Sequence, residues 1–442
     1  MALESPRTSD QQSTFTPPTK PATSPGGTPS AVPVIDSNKS KPIPPANTGN
    51  RLLDALVDLS TDVVHLERRF EPFVRPLFDA TLRDPFARVV TALINRGRVD
   101  EGLKLAEERL QPNEMEYLDS ITRTFEAQVR GLWKPGGFER GGNTKTHGMI
   151  RGDFIVHDDI PKNMKVGIFA KPQTFRTWVR FSGPGPYVTP DIDDIGFMSI
   201  SLKLMGVPGP KLLDDEKYTM DMTGVSTPTF VTPNTDANAQ LQEQSLKNAQ
   251  VLYFINLHRS HVLDLIMQGL WIKTQSSPFE APYFSCVPYL LGDGQAMMYS
   301  VWPKTNKRTK IPRLPFRPPD DYLRQAMVAD LNKGDLELDF RIQLQTDPFL
   351  MPIENNAVLW PERLSPRVSV ATIRLPKQVF DIPAQTAFAR QLSYNPWHCI
   401  PEHRPLGNQS RARKHIYSML ARLRQQMNGV PHYEPTGDEV FE

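Results

Sequence analysis

The chain has 442 residues, 39% hydrophobic and 23% charged, enough to bury a sizeable core in two or three substructures. Its formal net charge of +2 supplies no general basic field, which argues against nucleic acid or an anionic membrane as partner. The two cysteines, Cys286 and Cys399, give no disulfide framework and no paired-cysteine metal motif, a usage that suits a reducing, cytoplasmic compartment.

Residues 1–49 are rich in Pro, Ser, Thr and Gly and nearly devoid of aromatics, so they read as a disordered arm that cannot bury enough surface to fold. Nothing at the start of the chain has the charged and apolar regions of a signal peptide, and no apolar run approaches the ~18 residues of a transmembrane segment. A helical segment is expected over 50–135. There Leu52, Leu53, Leu56, Val57 and Val63 follow a period near 3.6, the spacing of a helix with one apolar face. A second helix, NEMEYLDSITRTFEAQVRGLW, sets Met115, Leu118, Ile121, Phe125 and Val129 on one face, with Asn113 placed to cap it. KPGGFERGGN then ends it.

From 136 to 380 the apolar period becomes two. GFMSISLKLMG alternates Met198, Ile200, Leu202 and Leu204 with polar residues, and LELDFRIQLQTDP does the same from Leu336 to Leu344. Less regular candidates are MIRGDFIVH, KVGIFAK, TWVRFS, PYFSCVPYLL, AMMYSVWP and RVSVATIRL. About eight short strands joined by turn residues predict an α+β fold, an antiparallel β-barrel with helices before, within and after it. The helical insertion falls near 237–268. The last segment, 381–442, wraps back and ends in a helix.

That helix, RARKHIYSMLARLRQQ, carries Ile416, Met419, Leu420, Leu423 and Met427 in one stripe, with Arg413, Tyr417 and Arg424 along its edge. Two readings are open. The arginines snorkel while the tyrosine covers the core rim, or Arg413 stabilises a tyrosinate able to ligate a metal.

Other chemistry is thinly supported. His147 stands at the mouth of the first strand beside Gly148, whose missing side chain lets another group approach closely. His398 and His403 flank Cys399, but a zinc site needs a second ligand pair. Asp158 with Asp159, and Asp193 with Asp194, sit in turns where Asp is common for backbone reasons. No GxxxxGK and no GxSxG is present.

His147, WVRFS and Tyr417 taken together resemble the haem catalase superfamily, specifically its catalase-like branch of catalase-related peroxidases and allene oxide synthase-like haem proteins. The resemblance runs from about Gly142 to Arg424. HGMIRGDFIVHDDIP is similar to the distal-histidine strand and its turn, FAKPQTFRTWVRFSGPG to the VRFS segment, GFMSISLKLMG to the RGFA strand, STPTF to the NTPVFF turn, VLWP to the VWP strand, and YNPWHCIPEHRPLGNQSRARKHIYSMLARLR to the segment ending in R-x-x-x-Y. The resemblance implies a buried haem b, with Tyr417 as axial iron ligand, Arg413 keeping it ionised, Arg422 and Arg424 at the family's spacings, and Arg424 and Arg180 facing propionates. It implies His147 as acid–base group toward a peroxide, oriented by Ser182.

Departures from the family pattern bear on activity. Ser226 replaces an asparagine that assists the histidine. Thr144 replaces an arginine, for which Arg140 is a substitute, and Ile195 replaces another. Thr146, where catalases have valine, matches the threonine of allene oxide synthases, whose hydroxyl restrains the histidine. The expectation is a haem-dependent enzyme cleaving a peroxide O–O bond, as a peroxidase or weak catalase. The alternatives are an isomerase or dehydratase of an organic hydroperoxide, lipid or secondary metabolite, and a non-catalytic haem-binding protein. Members of the family commonly form homo-oligomers.

Overall fold

Strands that alternate apolar and polar residues must find cover for one face, and here they do so by closing on one another. The computed structural model describes residues 40–441 apart from 195, 257 and 306, all within one compact unit, Ala31–Glu442. Its strands are β1 (Thr146–Val156), β2 (Thr174–Ser182), β3 (Ser199–Met205), β4 (Thr219–Val225), β5 (Tyr283–Phe284), β6 (Tyr289–Leu290), β7 (Ala296–Pro303), β8 (Leu336–Leu344) and β9 (Val368–Leu375). They pair in the order β5-β4-β3-β2-β1-β9-β8-β7-β6, and a β5–β7 pairing closes eight of them into an antiparallel barrel with β6 beside it. The predicted eight-stranded barrel is therefore present.

Two strand assignments need correction. KVGIFAK is no strand: Gly167–Phe169 is a single 3-10 turn, in which Gly167 has φ +57. Conversely β4, TMDMTGV, is absent from the expected strands: its β-branched Thr219, Thr223 and Val225 are interrupted by Asp221 and Gly224, both depleted in strands, yet it pairs along its length with β3.

The barrel interior is apolar, with Phe154, Phe181, Leu202, Met222, Phe340 and Ile373 all buried. Phe154 and Phe340 meet edge to face, ring centroids 5.0 Å apart, an arrangement that adds about 1 kcal/mol beyond burial. Gly148 admits the close approach its sequence suggested: a Cβ there would lie 2.6 Å from Met327 and 2.7 Å from Phe380. On the outer face of β2–β4, Arg180, Ser201 and Thr223 stand opposite one another in register. That face is covered too, since every residue of β3 is buried.

Helices supply the cover. They are α1 (Arg51–Thr81), α2 (Arg83–Arg96), α3 (Glu114–Leu132), α4 (Thr235–Leu246), α5 (Val251–Phe254), α6 (Val262–Gly269), α7 (Tyr322–Leu331), α8 (Pro383–Gln391) and α9 (Asn408–Asn428). The apolar stripe of α9 faces inward as its spacing predicts. Ile416 packs with Leu118 and Ile121 of α3, and Leu423 with Val129 and Phe138. Asn113 precedes α3 at φ +58 but makes no capping bond with its side chain; Glu114 instead accepts from the Gln111 N–H at 3.1 Å.

In α1 most of the apolar face points away from the body. Leu52, Leu56 and Val63 are exposed, and the residues buried against the body are Val57, Arg68, Glu71 and Arg75. Of the expected arm, residues 1–39 lie outside the described residues, as does Ile195. Residues 40–49 lie on the body, Lys41 donating to the Val188 carbonyl at 2.7 Å and Asn47 to that of Lys247 at 2.8 Å.

Candidate functional site

Between α9 and the outer face of β2–β4 lies a cavity of about 320 Å³. Its walls carry Phe125, Phe197, Val225, Phe230, Ile416 and Leu420, and among them Tyr417, Arg413, Arg140, Arg180 and Arg424. A mostly apolar pocket with a few convergent polar groups is the usual form of a small-molecule or cofactor site.

Tyr417 and Arg413 are one helical turn apart. Arg413 Nη2 donates to the Tyr417 hydroxyl at 3.3 Å and to Thr223 Oγ1 at 2.6 Å. Its guanidinium carbon lies 5.2 Å from the Tyr417 ring centroid. Burial alone would weaken Arg413 as a cation, but the phenol oxygens of Tyr417 and Tyr289 outweigh it and its pKa is raised. The group beside Tyr417 is thus a firmly held positive charge.

A second set of cations meets at Arg140, Arg180 and Arg424. Burial, then mutual repulsion, depresses the pKa of Arg180 and Arg424 far below the usual guanidinium value; burial lowers that of Arg140 as well. Their hydrogen bonds go to neutral acceptors. Arg140 donates to the Ala389 and Leu392 carbonyls, Arg180 to those of Asn143 and Thr144, and Arg424 to Gln391 and Leu392. The nearby carboxylate of Glu139 pairs with Arg390 at 2.7 Å. Arg140 Nη1 is buried with no hydrogen-bond partner. Buried charges ordinarily come paired, so three arginines sharing one cavity suit a ligand bearing acidic groups. A phenol under a guanidinium, apolar walls and such a cluster together fit haem, with its two acids and flat apolar ring.

The expected histidine side is built differently. His147 occupies a bulge in β1, where the register slips between Thr146 and Gly148. It is 1% exposed and does not line the large cavity. It lines a void of about 10 Å³ with Arg68, Asp191, Gly196 and Tyr322, and Phe197 lines both spaces. His147 Nδ1 lies 3.7 Å from Asp191 Oδ1, which Lys145 holds at 2.6 Å. Neither ring nitrogen has a hydrogen-bond partner. Burial first, then Lys145, Arg324 and Arg180, push its pKa well below the usual imidazole value, so the ring is neutral at pH 7.

The remaining residues singled out by sequence fall as follows. Ser182 stands opposite Thr146 across β1 and β2, its hydroxyl buried without a partner. Thr146 Oγ1 accepts from Arg180 at 2.8 and 3.1 Å. The Ser226 hydroxyl accepts from the Met198 N–H at 2.8 Å, outside the cavity wall. Arg422 is exposed and lines a smaller void of about 90 Å³ on the other side of Tyr417, with His398 and His432. Phe197, Thr223 and Tyr394 line the large cavity without any sequence signal that singles them out: strand register places Thr223, while Phe197 and Tyr394 come from the segments before β3 and after α8.

His398 belongs to a buried ionic cluster rather than to a zinc centre with Cys399. Its ring nitrogens meet Asp221 and Asp215, each at 2.9 Å. Glu216, Asp221 and His398 bring ligand atoms within 4.8 Å of one another. However, Lys203 Nζ already sits 2.5 Å from Glu216 and 2.8 Å from Asp221, supplying the charge a metal ion would.

No protein-family model and no curated protein matches the sequence. Solved structures match by shape. Over 78% of this chain it is similar to a fungal catalase, at 17% identity, covering 70% of that chain with a TM-score of 0.52. It is likewise similar to catalase A from Saccharomyces cerevisiae, at 15% identity, with 78% of this chain, 72% of that one and a TM-score of 0.52. At these identities the likeness is one of fold: the chain has a catalase-like antiparallel barrel with helices around it.

Proposed function

We propose that the cavity beneath α9 binds haem b and that the protein is an enzyme acting on a peroxide O–O bond. The observation that carries this reading is the shared cavity itself, in which Tyr417 with its Arg413 donor faces the same space as Arg140, Arg180 and Arg424. The catalase-like fold supports it. Tyr417 would hold the iron through its phenolate, which Arg413 favours by charge, and the three arginines would receive the haem acids. Haem, when bound, supplies the iron at which the O–O bond breaks.

The protein's part in the chemistry is proton handling and substrate choice. His147, neutral by burial, accepts a proton from a hydroperoxide and returns it to the departing oxygen. Phe197 stands at the boundary between His147 and the cavity, which makes this transfer poor for a small peroxide that cannot displace the ring. The cavity also extends to Phe230, Val231, Asn238 and Gln242, side chains that hydrogen peroxide has no use for. Those two features favour an organic hydroperoxide, converted by isomerisation or dehydration, over hydrogen peroxide. The test is to load the full chain with haemin and follow consumption of hydrogen peroxide and of a fatty-acid hydroperoxide. The expected result is faster loss of the organic one. Faster loss of hydrogen peroxide would make the protein a catalase or peroxidase; loss of neither would leave it a non-catalytic haem protein.

A further inference from the structure

The most conspicuous exposed surface of the molecule runs along the outer side of α1, whose inner side reaches the His147 void through Arg68. From Leu52 to Leu77 the helix places Leu, Leu, Leu, Val, Leu, Phe, Phe and Leu at alternating steps of four and three residues. All eight are 50–73% exposed. An unbroken four-three apolar repeat is the signature of a helix that packs along its length against another helix. Pro72 and Pro76, the prolines inside α1, stand off this seam.

The helix cannot roll to bury the stripe, because its other face is fixed by polar contacts. Glu71 accepts from the Thr274 N–H at 2.8 Å, the Thr274 hydroxyl donates to the Arg68 carbonyl at 2.7 Å, and Lys273 pairs with Asp79 at 2.8 Å. The body of the protein thus holds α1 with its polar side in and its apolar side out.

We propose that α1 pairs with α1 of a second copy of this chain, seam to seam, as a two-stranded coiled coil. The area is sufficient. At on the order of 200 Å² for a fully exposed large side chain, the eight residues present on the order of 1,000 Å², against the ~800 Å² each partner gives to a standard interface. The chain's own first 39 residues are no substitute, since their few large apolar residues, such as Leu3, Phe15 and Ile35, follow no such spacing. A membrane surface is disfavoured by charge: α1 carries six carboxylates against four arginines, where an interfacial helix is basic on its polar face. The pairing is independent of the haem reading.

Sedimentation velocity of the full 50.0 kDa chain at micromolar concentration tests it. The wild type is expected as a dimer or a multiple of dimers, and the double variant Leu59→Glu, Leu66→Glu at half the wild-type mass with an unchanged circular dichroism spectrum. A monomeric wild type, including one whose α1 waits for a helix of another protein, would overturn the proposal, as would a folded variant of unchanged mass. Should the variant not fold, hydrogen exchange of the wild type decides. Amides of 52–77 must lose protection on dilution; protection independent of concentration would contradict the pairing.

Discussion

Arg413 donates to the Tyr417 hydroxyl from one turn earlier on the same helix, at 3.3 Å, and Thr223 fixes the guanidinium from the barrel side at 2.6 Å. The arrangement keeps a positive charge beside the phenol whatever the helix surface does. Replacing Arg413 by Gln removes that charge while leaving a donor. We expect haemin affinity to fall roughly 10–100-fold, the usual effect of losing a partner of a metal ligand, with a shift of the visible spectrum. Equilibrium titration followed by absorbance measures both; unchanged affinity and spectrum would separate Arg413 from ligand control.

The arginine cluster makes a prediction about charge rather than shape. Each charge-assisted hydrogen bond contributes ~1.5–3 kcal/mol, so haemin should bind at least tenfold more tightly than its dimethyl ester, which has the same ring and no acid. In the Arg140→Gln variant the difference should shrink. Equal affinity for acid and ester would mean that Arg140, Arg180 and Arg424 do not receive the acids.

Phe197 forms the boundary between His147 and the cavity, so removing its ring should join the two spaces. Phe197→Ala is expected to raise hydrogen peroxide turnover tenfold or more in the haem-loaded protein, on the scale of a gained general base. His147→Gln in the same background should abolish the gain. Initial rates of oxygen release or peroxide loss decide it; a gain that survives loss of His147 would show that Phe197 limits access alone.

The buried ionic cluster makes stability predictions independent of function. Lys203, fully buried between Glu216 and Asp221, leaves two carboxylates short of a cation when replaced by Met. Breaking a buried pair this way costs ~3–5 kcal/mol, readable as a lower urea midpoint.

His398 sets a pH dependence. Burial lowers its pKa, but Asp215 and Asp221 outweigh this and push it up to about 10, against ~6.5 in an unfolded chain. The folded state therefore holds the proton more tightly. Its contribution is fully present below pH ~6.5 and is lost as pH rises toward about 10, at up to ~1.4 kcal/mol per pH unit. Urea unfolding from pH 6.5 to 10 should show a shallower decline in His398→Gln than in wild type; parallel slopes would contradict the assignment.

Much of this was legible in the sequence where periodicity is strong. The apolar stripe of α9, the alternation in β3 and β8 and the barrel they imply could be read because side-chain spacing reports burial directly. The resemblance through VRFS and R-x-x-x-Y drew attention to Arg180, Arg413, Tyr417 and Arg424, which the fold brings to one cavity. Strand β4 escaped notice because Asp221 and Gly224, both depleted in strands, interrupt its β-branched residues. Thr223 escaped because its role comes from register across strands, and Phe197 because the segment before β3 acquires its neighbours only through tertiary packing; no local pattern encodes either. In α1 the period was legible and its direction was not, since a helix pattern names an apolar face without saying what covers it.

The central claim is best tested by the visible absorption spectrum of the haemin-loaded protein, wild type beside Tyr417→Phe. A ferric tyrosinate spectrum in the wild type that disappears in the variant is the predicted result. Identical spectra, or a wild type that takes up no haemin, would mean that Tyr417 is not an iron ligand and that α9 is an amphipathic helix edged with arginine.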